Sequence, residues 1–274
     1  MRIAIQGEPG SFSHEAALKA DPEATLLPCA LSADVFAAVA AGAADAAVIP
    51  IENSLAGSVV EHYDLLLAQP VGVESEWLLR IRHNLIGVPG ARLDRIRHAY
   101  SHPVALAQCR RFFVEHPEIE AAPFYDTAGS VKQLMELRDI GVAGIASAQA
   151  AQHYGAEILI AGIEDNVENY TRFFLIRKRE KVRSEALPNK VSLAFAVENR
   201  PGTLVAALQV FAGMGTNLTR LESRPVPGRP WEYVFYADYQ LTDPGVADKA
   251  LERLPEYCSM VQELGRYRAA VPVA

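Results

Sequence analysis

Over the first 178 residues, short apolar runs alternate with alanine-rich stretches whose apolar positions recur every three or four residues. The runs at 2–6, 25–29, 46–50, 98–101, 121–125, 142–145, 158–161 and 172–177 predict strands, with a longer strand region over 74–88. The intervening periodicity predicts helices over 13–20, 33–41, 57–68, 104–116, 130–137 and 148–154. Alternating strands and helices imply an α/β fold with sheets covered by helices. The strand region 74–88 reads as a crossover between two lobes and 171–177 as the return, leaving a cleft between the lobes where a ligand could sit.

The pattern changes after residue 178. A highly charged stretch ending in Pro188-Asn189 reads as a linker over 179–189, with a charged helical extension as the alternative. Beyond it the order is strand 190–197, helix 201–214, strands 217–225 and 231–241, helix 244–254 and strand 260–267. That βαββαβ order is ferredoxin-like. The division expected is therefore 1–178, a linker, and 190–268.

Composition narrows the functional classes. The 274-residue chain is 50% hydrophobic and 22% charged, in the range of globular proteins. Its net charge of −7 argues against a nucleic-acid partner, which calls for a basic footprint. The stretch 140–156 is too short and too interrupted by polar residues to span a membrane, and no signal-peptide pattern opens the chain. Three scattered cysteines suggest neither a disulfide framework nor a metal knot, and are read as a cytoplasmic pattern. The seven histidines lack paired metal spacing, so no metal is expected.

Four loops follow predicted strands and open helices: Gly7 to Ser13, Glu52 to Ser58, Ser101-His102-Pro103, and Asp126 to Ser130. Free backbone N–H groups at such ends suit carboxylates or phosphates, although Ser and Thr there can also be ordinary caps. The first loop fits neither a phosphate loop nor a dinucleotide fingerprint, so no nucleotide cofactor is expected. Arg172 falls at an expected buried position next to Thr171 and Phe173. It must find a partner there, either Glu168 or Asp165 or a ligand.

At these residues the chain resembles a known family. Asn169-Tyr170-Thr171-Arg172-Phe173, Pro50-Ile51-Glu52-Asn53-Ser54 with Gly57-Ser58, the opening Gly7…Gly10-Ser11-Phe12-Ser13, and Ser101-His102-Pro103 with Ala107-Gln108-Cys109 are similar to the motifs of prephenate dehydratases. Glu198-Asn199-Arg200-Pro201-Gly202-Thr203-Leu204 and Thr219 to Pro225 resemble the ACT regulatory domain of that family. The resemblance implies a two-lobed catalytic domain like the type 2 periplasmic binding proteins, followed by the ACT domain.

It also implies conversion of prephenate to phenylpyruvate, CO2 and water without a cofactor. Thr171 would assist the departing hydroxide as catalytic residue. Arg172 would fork onto a carboxylate, Phe173 would pack near the ring, and Asn53, Ser54, Ser101, His102, Thr127 and Ser11 would receive the remaining polar groups. Glu52 is expected to hold its loop or pair with a cation, because its charge would repel the dianion. Phenylalanine would act as effector between two ACT domains of a homodimer or homotetramer, with Gly202, Thr203, Leu204, Val205 and Glu222, Ser223, Arg224, Pro225 as pocket walls. Arogenate dehydratase and a non-catalytic ligand sensor are the alternative readings.

Overall fold

Ile3, Ala4 and Ile5 are fully buried in the first strand, the continuous apolar run of a strand covered on both faces. In the computed structural model, which describes residues 1–183, 187–226, 228–229, 231–241 and 243–271, that strand is β1 (Arg2–Gln6). It is followed by α1 (Phe12–Ala20), β2 (Thr25–Cys29), α2 (Ser32–Ala41), β3 (Ala46–Asn53), β4 (Gly57–Ser58), α3 (Val60–Ala68) and β5 (Val71–Arg80). The chain continues through β6 (Asn84–Gly87), β7 (His98–Ser101), α4 (Pro103–Ala107), α5 (Arg110–Glu115), β8 (Glu120–Pro123), α6 (Thr127–Leu137), β9 (Val142–Ala146), α7 (Ala148–Tyr154), β10 (Glu157–Ile160) and β11 (Tyr170–Lys178). The last elements are β12 (Lys190–Ala196), α8 (Thr203–Gly213), β13 (Leu218–Pro225), β14 (Tyr233–Gln240), α9 (Pro244–Arg253) and β15 (Met260–Tyr267).

Two compact units divide the chain, and not at a single point. The first takes residues 1–62 and 77–173, the second 63–76 and 174–270. One sheet has the order β2-β1-β3-β11-β5, with β4 paired to β3, and another has the order β10-β6-β9-β7-β8. β1 pairs in parallel with both β2 and β3, as does β7 with β8 and β9. The second sheet closes over Leu85, Ile96, Ala99, Cys109, Phe112 and Ile145.

In the second unit the antiparallel sheet β13-β14-β12-β15 follows the expected βαββαβ order. Val191, Leu193 and Phe195 alternate toward α8 and α9, meeting Val210, Phe211, Ala247 and Ala250. The other face of β12 is buried but polar. Lys190 Nζ is 2.7 Å from Glu76, and the Ser192 hydroxyl lies between Asp238 and Tyr267. Gly265 lets the Val73 backbone approach β15 where a Cβ would collide with its carbonyl. These contacts draw residues 63–76 into the second unit, a long-range association invisible in the local pattern.

Three expected elements are divided. The region 74–88 is two strands, because the backbone at Ile81 donates to Asn169 O and that at His83 donates to the Glu164 carboxylate. The expected helix 104–116 breaks at Gln108–Cys109, where Asp165 accepts the N–H groups of Arg110 and Arg111 and so caps α5. Residues 57–58 pair with Glu52 and Asn53 as β4 before α3 begins. Within the expected linker, residues 179–181 form a 3₁₀ turn, and Arg179 donates from its backbone to Pro70 O and from its guanidinium to Glu263 O. The linker's residues 184–186 lie outside the described residues.

Candidate active site

A cavity of about 700 Å³ opens within the first unit. Ser11, Asn53, His102, Thr127, Thr171 and Phe173 line it, six of the nine residues expected there. They arrive from the β1–α1 turn, the end of β3, the β7–α4 turn, the start of α6 and the first residues of β11.

Thr171 and Phe173 share one face of β11, since side chains along a strand alternate. Asn53 fixes the hydroxyl of Thr171. Its Oδ1 accepts the backbone N–H groups of Leu55 (3.0 Å) and Ala56 (2.8 Å), so its Nδ2 is the atom facing β11. Nδ2 donates to Thr171 Oγ1 at 3.0 Å and to Asn169 Oδ1 at 2.7 Å. Thr171 Oγ1 is thereby an acceptor toward Asn53, leaving its own O–H proton for the cavity.

The sequence reading did not assign Gln108 to the site, yet it lines the cavity. Its Oε1 accepts from Asn169 Nδ2 (3.0 Å) and from His83 Nε2 (2.9 Å), which turns its own N–H groups away from that pair. His83 is 2% exposed, and burial lowers its pKa, keeping the ring neutral with its proton on Nε2. The spacing of Asn53, Gln108 and Asn169 in the chain gave no hint of this connection. Their amides meet only because β3, α4 and β11 converge.

Two carboxylates also reach the wall. Glu8 is matched by Lys132 Nζ and by the Tyr125 hydroxyl, each 3.1 Å away. Asp126 caps α6 through Gly129 N at 2.7 Å, and burial raises its pKa. Ser11 caps α1, and His102 Nδ1 accepts the Val104 N–H, which leaves Nε2 as its donor. Cys109 is fully buried, and burial pushes its thiol up to about 12, far from a thiolate nucleophile.

Three expected ligands lie elsewhere. Ser54 staples backbone: its hydroxyl donates to Glu168 O at 3.2 Å and accepts from Tyr170 N at 3.0 Å. Ser101 is fully buried and donates to Ile145 O at 2.6 Å, tying β7 to β9. Arg172 sits between Thr171 and Phe173 and therefore projects from the opposite face of β11, where Nη2 is 3.4 Å from Glu52 Oε2. Glu52 is the residue expected to hold a loop or pair with a cation.

In the second unit, Gly202 (φ 87°) opens α8, and the Thr203 hydroxyl donates to Glu198 O and Arg200 O. Leu204 packs on the sheet core and Val205 is exposed. Thr203 lines a cavity of about 340 Å³ that includes none of Glu222, Ser223, Arg224 or Pro225. Arg224 pairs with Asp64 at 2.7 Å and Glu222 with Arg220, so both charges have partners within the chain; Ser223 and Pro225 are exposed.

Comparison with known proteins gives these features a family. The model of the family described as prephenate dehydratase matches residues 3–181. Arogenate dehydratase/prephenate dehydratase 1, chloroplastic, of Arabidopsis thaliana is 37% identical over 282 residues, covering 97% of this chain and 72% of the relative. A prephenate dehydratase from Arthrobacter aurescens, solved in complex with L-Phe, is 32% identical with a TM-score of 0.88, covering 98% of this chain and 90% of that one. A structure described as GqqA, a novel type of quorum quenching acylase, is 36% identical with a TM-score of 0.90 and 98% coverage of both chains.

One expectation is overturned here. The cytoplasmic location inferred from the scattered cysteines does not stand against relatives named as chloroplastic, because reduced thiols do not distinguish one reducing compartment from another. With a family model spanning most of the chain and relatives matching nearly all of it, the chain belongs to the prephenate dehydratase family, carbon–oxygen lyases of aromatic amino acid biosynthesis.

Proposed function

We propose that the cavity removes CO2 and hydroxide from prephenate, giving phenylpyruvate on the route to phenylalanine. The observation that carries this reading is the Asn53–Thr171 hydrogen bond, which makes the threonine hydroxyl a donor toward the bound ring. Loss of the carboxylate supplies the electron pair that aromatises the ring as the C–O bond breaks. Hydroxide leaves poorly unless it receives a hydrogen bond or a proton, and in this reading Thr171 gives one. Such assistance is typically worth about 10²–10⁴-fold. Phe173 packs beside the ring and excludes water. Ser11, His102, Thr127 and Gln108 provide hydrogen-bond donors for the carboxylates, and α1 and α6 present their N-terminal ends.

Arogenate is the second reading, carrying an ammonium where prephenate has a keto oxygen. The Asp126 carboxylate on the wall favours it, as do relatives named arogenate dehydratase. An acylase reading, raised by one similar structure, lacks support at Thr171. Acyl transfer needs a base to take the nucleophile's proton, and the partner of Thr171 Oγ1 is an amide donor.

Residues 190–268 are read as an ACT domain that binds phenylalanine between two copies of the chain, in a homodimer or homotetramer. The similar dehydratase solved with L-Phe supports this. Incubating the purified chain with prephenate and, separately, arogenate tests the catalytic reading. Phenylpyruvate or phenylalanine is expected, and turnover of neither substrate refutes it.

A further inference from the structure

Glu52 and Asn53 are consecutive on β3, and Thr171 and Arg172 are consecutive on its neighbour β11. Asn53 meets Thr171 on the cavity face, and Glu52 meets Arg172 behind it. The arginine side chain is 9% exposed and the glutamate 39%, so the pair is shielded on one side and wet on the other. Adjacent residues on paired strands move together. A shift of β11 that breaks one contact therefore breaks the other.

The geometry points to Arg172 and Glu52 as positioning residues, an ion pair that holds the Thr171 hydroxyl against Asn53 rather than a carboxylate clamp for the substrate. This rests on Thr171 being the group that assists departure of hydroxide. Guanidinium suits the task because its planar fork restricts orientation as well as distance. Cross-strand opposite-charge pairs are a recognised means of fixing neighbouring strands. Ser54, clasped to Tyr170 by two hydrogen bonds, pins the same junction from the next position.

Positioning and substrate binding separate in the kinetics. A catalytic group displaced by about 1 Å costs on the order of 10²-fold in turnover while the substrate still binds. Loss of a carboxylate clamp instead raises KM. In the full-length protein, Arg172→Met and Glu52→Gln are each expected to lower kcat by about 10- to 100-fold with KM within about three-fold. The double variant is expected to be no worse than Arg172→Met alone, because the two act as one unit. The reversed pair, Glu52→Arg with Arg172→Glu, is expected to regain part of kcat.

A large rise in KM for Arg172→Met with wild-type kinetics for Glu52→Gln overturns the inference, as do additive losses in the double variant. Should the reversed pair fail to fold, the neutral double variant decides the matter. Thr171→Ala run alongside keeps the two ideas apart. If it retains turnover, the role of Thr171 falls; if it is inactive while Glu52→Gln is normal, only the ion-pair inference falls.

Discussion

Asn53 and Thr171 lie 118 positions apart in the chain, yet the amide nitrogen of one is 3.0 Å from the hydroxyl oxygen of the other. Because Asn53 Oδ1 is already occupied by two backbone N–H groups, the amide cannot turn over and accept from the threonine. The direction of this hydrogen bond converts an ordinary strand threonine into a donor facing the cavity.

Thr171→Ala is expected to lower kcat by about 10²-fold or more while substrate still binds, since the other wall donors remain. Thr171→Ser, which keeps the hydroxyl, is expected to retain much more activity. Steady-state kinetics with either substrate checks both, and normal turnover in the alanine variant removes Thr171 from the mechanism.

Asn53→Asp keeps an acceptor for Leu55 and Ala56 but cannot donate to Thr171 or Asn169. It is expected to fold, with kcat reduced by about ten-fold or more, because a carboxylate would accept the Thr171 proton instead. Comparing its melting temperature with its kcat separates the two effects. Equal losses in Asn53→Ala and Asn53→Asp that track stability would assign Asn53 to the fold alone.

His14, His62 and His83 are all buried, and burial lowers the pKa of each below the ordinary imidazole value of 6.5. A histidine with a depressed folded pKa is held neutral by the fold. The stability it contributes is present above its unfolded pKa and declines as pH falls below it, through the folded pKa. The melting temperature is expected to fall from about pH 6.5 toward pH 5. Thermal unfolding in a pH series, with His83→Gln as a variant showing a shallower decline, measures this. A flat profile would place the three rings in contact with solvent.

Removing everything after Leu187 would separate the motifs expected for catalysis from those expected for regulation, but the fold predicts a cost. Glu76, with a side chain 2% exposed, would lose the Lys190 ammonium at 2.7 Å and the Ala270 N–H, so a buried ion pair would be broken. Breaking such a pair typically destabilises by about 3–5 kcal/mol. The truncated chain is expected to be poorly soluble or to melt well below the intact protein, with Glu76→Gln recovering part of the loss. A truncated chain as stable as full-length protein would show that residues 63–76 do not depend on the second unit.

The sequence carried what repeats locally. β1, β2, β7, α7 and β15 lie where apolar periodicity and turn residues place them, and the βαββαβ order is legible in the same way. Ser11, Asn53, His102 and Thr127 stand in loops whose make-up suits anionic ligands, Thr171 and Phe173 are marked by the family resemblance, and all six converge on one cavity. The tertiary structure decided which way each side chain points. Arg172 looks like an anion ligand until strand alternation turns it behind the sheet to Glu52. Ser54 and Ser101 look like donors until neighbouring backbone claims their hydroxyls. Gln108 joined the site only through Asn169 and His83, and residues 63–76 joined the second unit only through contacts such as Lys190–Glu76. Local periodicity records burial, which acts on each residue separately. Hydrogen-bond direction and ion pairing depend on partners that the chain brings together only when it folds.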